Sequence, residues 1–414
     1  MKILFLLLNY SPFGGAASKI VLELIEEFYA RGIEIDVLTN KYELDQTIEQ
    51  KQKFGSIYRI ENYTALNLKK QSCGFFKKCV IAFEKFKDKL FLKNKKIFQS
   101  PLIIKNFYNG LKRLNIDKYD YIIPVCSEFA VYGALEKYRK KFGLKNRIVI
   151  YQLDPLSTNN VFSSQSFSAR LSMERKMAKE TAVVTTEIVK KQKESKNIDC
   201  ANVITLEFPS IKKILQKEKP PTAEISVVFS GFLYRDVRNP EYALKLFSRI
   251  KNPNVKLYIV GGGLENLTCQ YAEASEGKII PLGVLPLEQA EQKILEADFL
   301  LNIGNKDINF VPSKIFDYIS TGKPIINTFK DPACPTLKYF TKYDNVLCID
   351  ENAPIENELI RLEEFIKTNY NKVLSYEEIT KNFKENTVEF VAEKFIKVLI
   401  ENIDKTNGDK NGTV

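Results

Sequence analysis

The chain has 414 residues, 44% hydrophobic and 27% charged, which is enough for two domains with full cores and suits a soluble globular protein. It contains no histidine, so the commonest general base and metal ligand is missing; its seven scattered cysteines form no CxxC pair, and reduced thiols are the simplest reading. The net charge of +11 is concentrated: residues 69–118 carry fourteen Lys and Arg against Glu84, Asp88 and Asp117, and the rest of the chain balances to zero.

The opening MKILFLLL is short for a signal-peptide core and lacks a small-residue cleavage site, so a buried strand is predicted at 2–8. An amphipathic helix at 18–30 and a strand at 34–39 follow. Within 75–92, Phe76, Val80, Phe83, Phe86 and Leu90 recur at helical spacing, flanked by Lys78, Lys85 and Lys89. Such a helix can lie on an anionic bilayer, each Lys contributing about 1 kcal/mol near the surface. The alternative is a core-packed helix with a solvated lysine face. No nucleic-acid motif accompanies the basic stretch, so no nucleic acid is expected as a partner. No apolar run reaches the length of a membrane span.

Helices near 100–114, 129–139, 166–179 and 187–194 then alternate with strands at 121–125, 147–152, 181–185 and 202–206, the pattern of an α/β domain with a parallel sheet. Glu128 and Asp154 follow predicted strands, where either can serve as a general base, cap a helix or sit in water. Residues 207–222 end in Pro-Pro and read as a linker. The alternation restarts with strands at 225–230, 255–260, 298–303 and 324–327 and helices at 240–250, 286–296 and 313–321. A long helix is predicted over 376–402. The resulting division is an N-terminal Rossmann-like domain over 1–207, a linker over 208–222, a second Rossmann-like domain over 223–375, a helix over 376–403, and a disordered tail over 404–414.

Two glycine clusters follow strands, Gly14-Gly15 and Gly261-Gly262-Gly263, but neither gives GxGxxG and no Walker GxxxxGK[ST] exists. A dehydrogenase or P-loop nucleotidase is disfavoured; what remains is a tight turn where backbone can approach a ligand. In NFVPSKIFDYISTGKPII (309–326), Ser313 stands where it would cap a short helix with its N-terminus open to an anion. Lys314 adds a cation, and Asp317, one turn on, can accept two hydrogen bonds from a vicinal diol such as a ribose. An ordinary capped helix with Ile315, Phe316 and Ile319 inward is the plain alternative.

The ordered series SGFLYRDVRNPEYALKLF, LYIVGGGLENL, IIPLGVLPLEQAEQKILEADFLLNIGN and FVPSKIFDYISTGKPII resembles GT-B glycosyltransferases, nearest the retaining, glycogen-synthase-like family four that holds many bacterial polysaccharide and lipopolysaccharide enzymes. The resemblance covers about 225–330 well and the opening of the chain more weakly. It implies an α/β fold of two doubly wound Rossmann-like domains facing a cleft, an acceptor-binding N-terminal half, a nucleotide-sugar-binding C-terminal half, and a terminal helix crossing back. It also implies roles. Gly231 with Arg235 or Arg238 would hold the donor diphosphate, with Phe232 standing where the family usually has Arg. Gly14 and Gly15 would approach the donor, Gly283 and Val284 would line the base pocket, and Pro312, Ser313, Lys314 and Asp317 would complete the donor site. Asn309 and Asp317 occupy the spacing of two family glutamates, and the stretch around Asp154 lies where the family places a His.

The resemblance implies transfer of a sugar from a nucleotide-diphosphate sugar, first of all a UDP-sugar, to a hydroxyl on a glycan or lipid-linked acceptor in bacterial cell-surface polysaccharide synthesis. No cofactor and no metal are expected, since cations can stabilise the leaving diphosphate and no DxD sequence occurs. Retention is favoured; an inverting enzyme using Asp154 as base, a non-catalytic relative that binds a nucleotide sugar or a partner enzyme, and an epimerase of the same fold stay open. The expected location is cytoplasmic, peripheral on the inner face of the membrane.

Overall fold

A computed structural model describes the chain apart from residues 11–15, 43–45, 62–78, 80–81, 84–85, 87–99, 128, 145–146, 159–165, 215–222, 306–310 and 409–414. In chain order the first elements are β1 (Lys2–Leu6), α1 (Ala16–Ala30), β2 (Glu34–Lys41), β3 (Glu49–Gln52), β4 (Gly55–Glu61), α2 (Pro101–Arg113), β5 (Tyr121–Cys126), α3 (Ala130–Phe142), β6 (Arg147–Gln152), α4 (Phe167–Glu180), β7 (Ala182–Thr185), α5 (Glu187–Glu194) and β8 (Val203–Thr205). They form one sheet in the order β3-β4-β2-β1-β5-β6-β7-β8, parallel except for the β3–β4 pair. The central strands β1 and β5 are apolar runs because helices cover both faces of a parallel sheet. Ile3 of β1 pairs with Ile35 on one side and Tyr121 on the other.

The chain continues through β9 (Ile225–Ser230), α6 (Glu241–Arg249), β10 (Val255–Val260), α7 (Glu265–Ala274), β11 (Ile279–Gly283), α8 (Leu287–Glu296), β12 (Phe299–Ile303), α9 (Lys314–Ser320), β13 (Ile325–Phe329), α10 (Leu337–Phe340), β14 (Val346–Asp350), α11 (Ile355–Asn369), α12 (Tyr376–Phe383) and α13 (Val388–Gly408). The second sheet is wholly parallel, in the order β11-β10-β9-β12-β13-β14. Counted from β9 this is the doubly wound order 3-2-1-4-5-6, whose switch point lies between β9 and β12; in the first sheet it lies between β1 and β5. Ligands of such sheets bind beyond the carboxyl ends of the strands flanking that point.

Two compact units result: Met1–Pro209 with Val388–Val414, and Ser210–Thr387. In the first, α1 and α13 share a core with β1 and β2, in which Phe5, Val37, Leu24, Phe28, Val391 and Leu399 are buried together. The Phe395 ring stands edge-on to Phe28 at 5.7 Å and to Tyr151 at 5.3 Å, and the Tyr121 hydroxyl donates to the Leu399 carbonyl. On the opposite face Leu4, Leu6 and Leu38 meet Phe107, Leu111, Val131 and Leu135 from α2 and α3. The second unit buries Val227, Phe229, Leu257, Phe299 and Ile326 against Leu244, Phe247, Leu362 and Ile366.

The single helix expected over 376–403 is two helices. Ser375 and Glu378 form a capping box that starts α12, and the chain then tightens into a 3-10 turn at Lys384–Asn386. Thr387 is extended (φ −72°, ψ 147°) because Ile211 pairs with it, and the Asn386 carbonyl accepts from the amides of Ser210 and Ile211. The expected disordered tail over 404–414 is also corrected in part: 404–408 continue α13, and 409–414 lie outside the described residues.

Candidate functional site

In the second unit β9 ends at the buried Ser230, which touches two residues of α9. Its amide donates to the Tyr318 hydroxyl at 2.9 Å, and its own hydroxyl accepts from Lys314 Nζ at 2.8 Å. Tyr318 is buried, and burial raises its phenol above the ordinary range, so it stays a neutral partner. One strand end thus fixes the ammonium of Lys314 beside the switch point.

The chain leaves Ser230 through Gly231 and folds back on itself, with Tyr234 and Arg238 exchanging main-chain hydrogen bonds of 3.0 and 2.9 Å. This loop lies on the turn after β10. A Cβ on Gly261 (φ +133°) would sit 1.8 Å from the Gly231 carbonyl oxygen, and one on Gly263 (φ +85°) 2.2 Å from that of Leu233. The glycines are therefore needed for backbone to lie on backbone, with Leu233 N–H bonded to Gly262 O at 2.9 Å. Gly261→Ala is expected to cost on the order of 3 kcal/mol or more, read as a lowered urea midpoint for the second unit.

Within that loop Arg238 is half-buried; Nε donates to Asn305 Oδ1 at 3.1 Å and Nη1 to the Phe232 carbonyl at 3.5 Å. Among the described residues no acidic oxygen stands within 4.0 Å of it. Burial pushes the guanidinium below the usual arginine range, yet Arg stays charged at neutral pH, so its charge is only partly compensated. Arg235, the other expected cation, is exposed. Phe232 and Tyr234 are half-exposed aromatics with centroids 6.5 Å apart. Gly262 lies between Phe232 and Val284, whose atoms a Cβ there would meet at 3.1 and 3.2 Å. Gly283 (φ +69°) ends β11 and accepts from Gly261 N–H at 2.8 Å.

The helix α9 buries Ile315, Phe316 and Ile319 and carries the half-buried Asp317 in its first turn. Ser313 stands at its N-cap but does not cap it through its hydroxyl. Its backbone is helical (φ −58°, ψ −24°), whereas a capping side chain needs an extended one. Main-chain bonds from Ile315 to Pro312 (3.2 Å) and from Phe316 to Ser313 (3.1 Å) close the turn instead. With seven residues the helix has a short dipole, so anion binding falls chiefly to the side chains of Arg238 and Lys314. Asn309 lies outside the described residues.

In the first unit Asp154 follows β6, its amide bonded to the Cys126 carbonyl at 3.4 Å. Burial raises its carboxyl to about 6. Between about pH 4 and pH 6 the folded state then binds the extra proton, so stability falls as pH rises through that window and is level above it. Asp154→Asn is expected to stabilise the protein by about 2 kcal/mol at pH 8 and by almost nothing at pH 4, read from melting temperatures at both.

The loop carrying Asp154 is held by residues that the sequence reading missed. Glu174 accepts from the amides of Leu156 (2.9 Å) and Ser157 (3.1 Å) and from Gln152 Nε2 (2.9 Å), and pairs with Lys193 Nζ at 3.4 Å. Burial alone would raise the Glu174 carboxyl; the Lys193 ammonium and these hydrogen bonds outweigh it and hold it below the usual range. The missed signal is charge at core positions: Arg170, Glu174, Met177 and Ala178 make the buried stripe of α4, and Val189 and Lys193 that of α5. Ser230, Tyr318 and Asn305 were also missed, and no spacing in the chain singles them out.

Gly14, Gly15 and Glu128 lie outside the described residues, as do Phe76, Lys78, Lys85 and Lys89. Of the basic stripe over 75–92, Phe83 and Phe86 are described; both are helical and more than half exposed.

No protein-family model and no curated protein sequence matches the chain. Solved structures do. The chain is similar to sucrose-phosphate synthase from Thermosynechococcus elongatus over 98% of its own length and 99% of that chain, at 13% identity and a TM-score of 0.64. It is similar to TarM of S. aureus in a complex containing UDP over 96% and 99%, at 11% identity and 0.61. For HepE of Anabaena in complex with UDP-glucose the figures are 97% and 100%, 12% and 0.60. At such identities the likeness shows the fold, the GT-B type with two Rossmann-like units.

Proposed function

We propose that the chain is a glycosyltransferase that moves a sugar from a nucleotide-diphosphate sugar to a hydroxyl acceptor. The observation that carries the reading is the pair of cations, Arg238 and Lys314, fixed at the carboxyl end of β9 beside the switch point of the second unit. In this reading they take the diphosphate, Asp317 takes the ribose diol, and the main chain at Gly283 and Val284 borders the base, with the exposed Phe232 beside it. Arg235 and the turn at Pro312 and Ser313 complete the site. A UDP-sugar is the first donor to test, because two of the structures above hold UDP or UDP-glucose.

The bond broken joins the anomeric carbon to the β-phosphate, and negative charge grows on the departing diphosphate. Fixed cations stabilise that charge without a metal being required. If the configuration is retained, the leaving phosphate can itself take the acceptor proton. If it is inverted, a base is needed, and Asp154, with its carboxyl raised to about 6, is the candidate. In this reading the acceptor is a glycan or lipid-linked hydroxyl, as in bacterial cell-surface polysaccharide synthesis, and the basic stripe over 75–92 would then hold the protein on the cytoplasmic face of an anionic membrane. Among the described residues no helix is long and apolar enough to cross a membrane.

Phe232, standing where related enzymes carry Arg, motivates a second reading in which the nucleotide sugar is bound without turnover. Release of nucleoside diphosphate from a panel of UDP-, GDP- and ADP-sugars, with Asp317→Ala as control, decides between them. The proposal expects release from one donor, lost in the variant; binding without release supports the second reading, and neither binding nor release contradicts both.

A further inference from the structure

The first unit has a cavity of about 390 Å³ beside α1, walled by the edge strand β3 and its neighbour β4, far along the sheet from Asp154. That volume falls in the lower part of the range of small-molecule sites (about 300–1,000 Å³). Its lining combines the apolar Leu22, Phe54 and Ile57 with polar side chains: Glu26 from α1, Gln50 and Gln52 from β3, Arg59 from β4, and Tyr10 from the turn after β1. Two of these groups are buried and incompletely satisfied. Tyr10 is 5% exposed, and among the described residues its hydroxyl has no hydrogen-bond partner. Arg59 is 8% exposed; it donates to Gln50 Oε1 at 2.7 Å and to the Thr47 carbonyl at 3.3 Å, with no acidic oxygen within 4.0 Å among the described residues.

A buried guanidinium without a counter-ion and a buried phenol without a partner each cost stability unless something completes them. Glu26 does not serve Arg59, because it pairs with Lys53. Burial raises the Tyr10 phenol above its ordinary range, and the Glu26 charge adds to this against an opposing effect of Arg59, so the hydroxyl keeps its proton and can donate it. The pocket therefore offers one fixed cation, the Tyr10 hydroxyl and two exposed glutamine amides able both to give and to accept, while the Glu26 carboxylate is held by Lys53. That donor set matches a ring of hydroxyls bearing a single acidic group.

We propose that this pocket binds an anionic sugar, its acidic group on Arg59 and its hydroxyls on Tyr10, Gln50 and Gln52. The site lies within the first unit and does not rest on the donor-site reading. The acid could be a carboxylate or a phosphate, and the experiment separates them. Calorimetric titration of the full chain would use methyl glucuronide, glucose 6-phosphate, methyl glucoside and inorganic phosphate. At least one acidic sugar should bind about tenfold or more tightly than methyl glucoside and inorganic phosphate, and the better of the two names the acid. Arg59→Gln should weaken it about tenfold or more and Tyr10→Phe about threefold to tenfold, while Arg238→Ala leaves it unchanged. Should Arg59→Gln fail to fold, Tyr10→Phe and Gln50→Ala decide. Failure of both acidic sugars to bind, equal binding of methyl glucoside or inorganic phosphate, or unchanged binding in the folded variants would overturn the proposal.

Discussion

Replacing Arg238 by Ala is expected to weaken UDP binding about a hundredfold while changing the stability of the second unit by no more than about 1 kcal/mol. The two effects separate because of how the residue is held. Its guanidinium donates to Asn305 and to the Phe232 carbonyl, and each neutral contact contributes about 1 kcal/mol. Against that stands the cost of partly burying a cation with no acidic oxygen within 4.0 Å among the described residues. In the unliganded protein the terms nearly cancel. With a diphosphate present the same charge gains a buried counter-ion, and truncating such a pair costs about 2–5 kcal/mol. Arg238→Lys should recover only part of the affinity, because a single ammonium cannot reproduce the planar fork. Titration calorimetry with UDP and urea unfolding of the same samples check both halves; a destabilised variant with unchanged affinity would make Arg238 a structural residue.

The largest expected stability effect is at Glu174. Both it and Lys193 have side chains 1% exposed. Glu174→Ala leaves the ammonium without its partner and strips acceptors from the amides of Leu156 and Ser157 and from Gln152. Breaking one side of a buried pair costs about 3–5 kcal/mol, which for a unit of this size lowers Tm by roughly 10 °C. The double variant Glu174→Met with Lys193→Met should recover much of the loss in Tm, since no lone charge remains. The pH dependence is opposite to that of Asp154. The Glu174 carboxyl is held below its unfolded value, so its contribution is present at neutral pH and is lost as pH falls through its folded pKa. Thermal melts from pH 3 to pH 8 follow both groups; equal Tm for Glu174→Ala and the native chain at neutral pH would contradict this account.

The elements that were legible in the sequence are those whose signal is local. β5 and β12 are buried along their length and β1 from Ile3 on, and the apolar stripe of α1 recurs at helical spacing. β3 could not be read, because EQKQ is polar and exposed throughout and becomes a strand only by pairing with β4. α7 was missed for a related reason: Thr268 is its one fully buried residue, and its apolar side chains against the core, Leu267 and Tyr271, are only partly covered. The break before α13 depends on Ile211, far away in the chain, pairing with Thr387.

The candidate site divides in the same way. Lys314 and Asp317 stood out through the spacing of the 309–326 motif and Gly231 and Arg238 through the ordered resemblance to GT-B enzymes, and the structure gathers Gly231, Arg238 and Lys314 around the end of β9. The buried supports, Ser230 and Tyr318 under Lys314 and Glu174 under the Asp154 loop, reach their partners only through tertiary contact. Such pairings carry no spacing that a sequence displays.

The most direct test of the donor site is a crystal structure of the chain with UDP. The diphosphate is expected against the Arg238 guanidinium and the Lys314 ammonium, and the ribose hydroxyls on Asp317. A nucleotide bound with its phosphates away from both cations, or at another place in the protein, would contradict it.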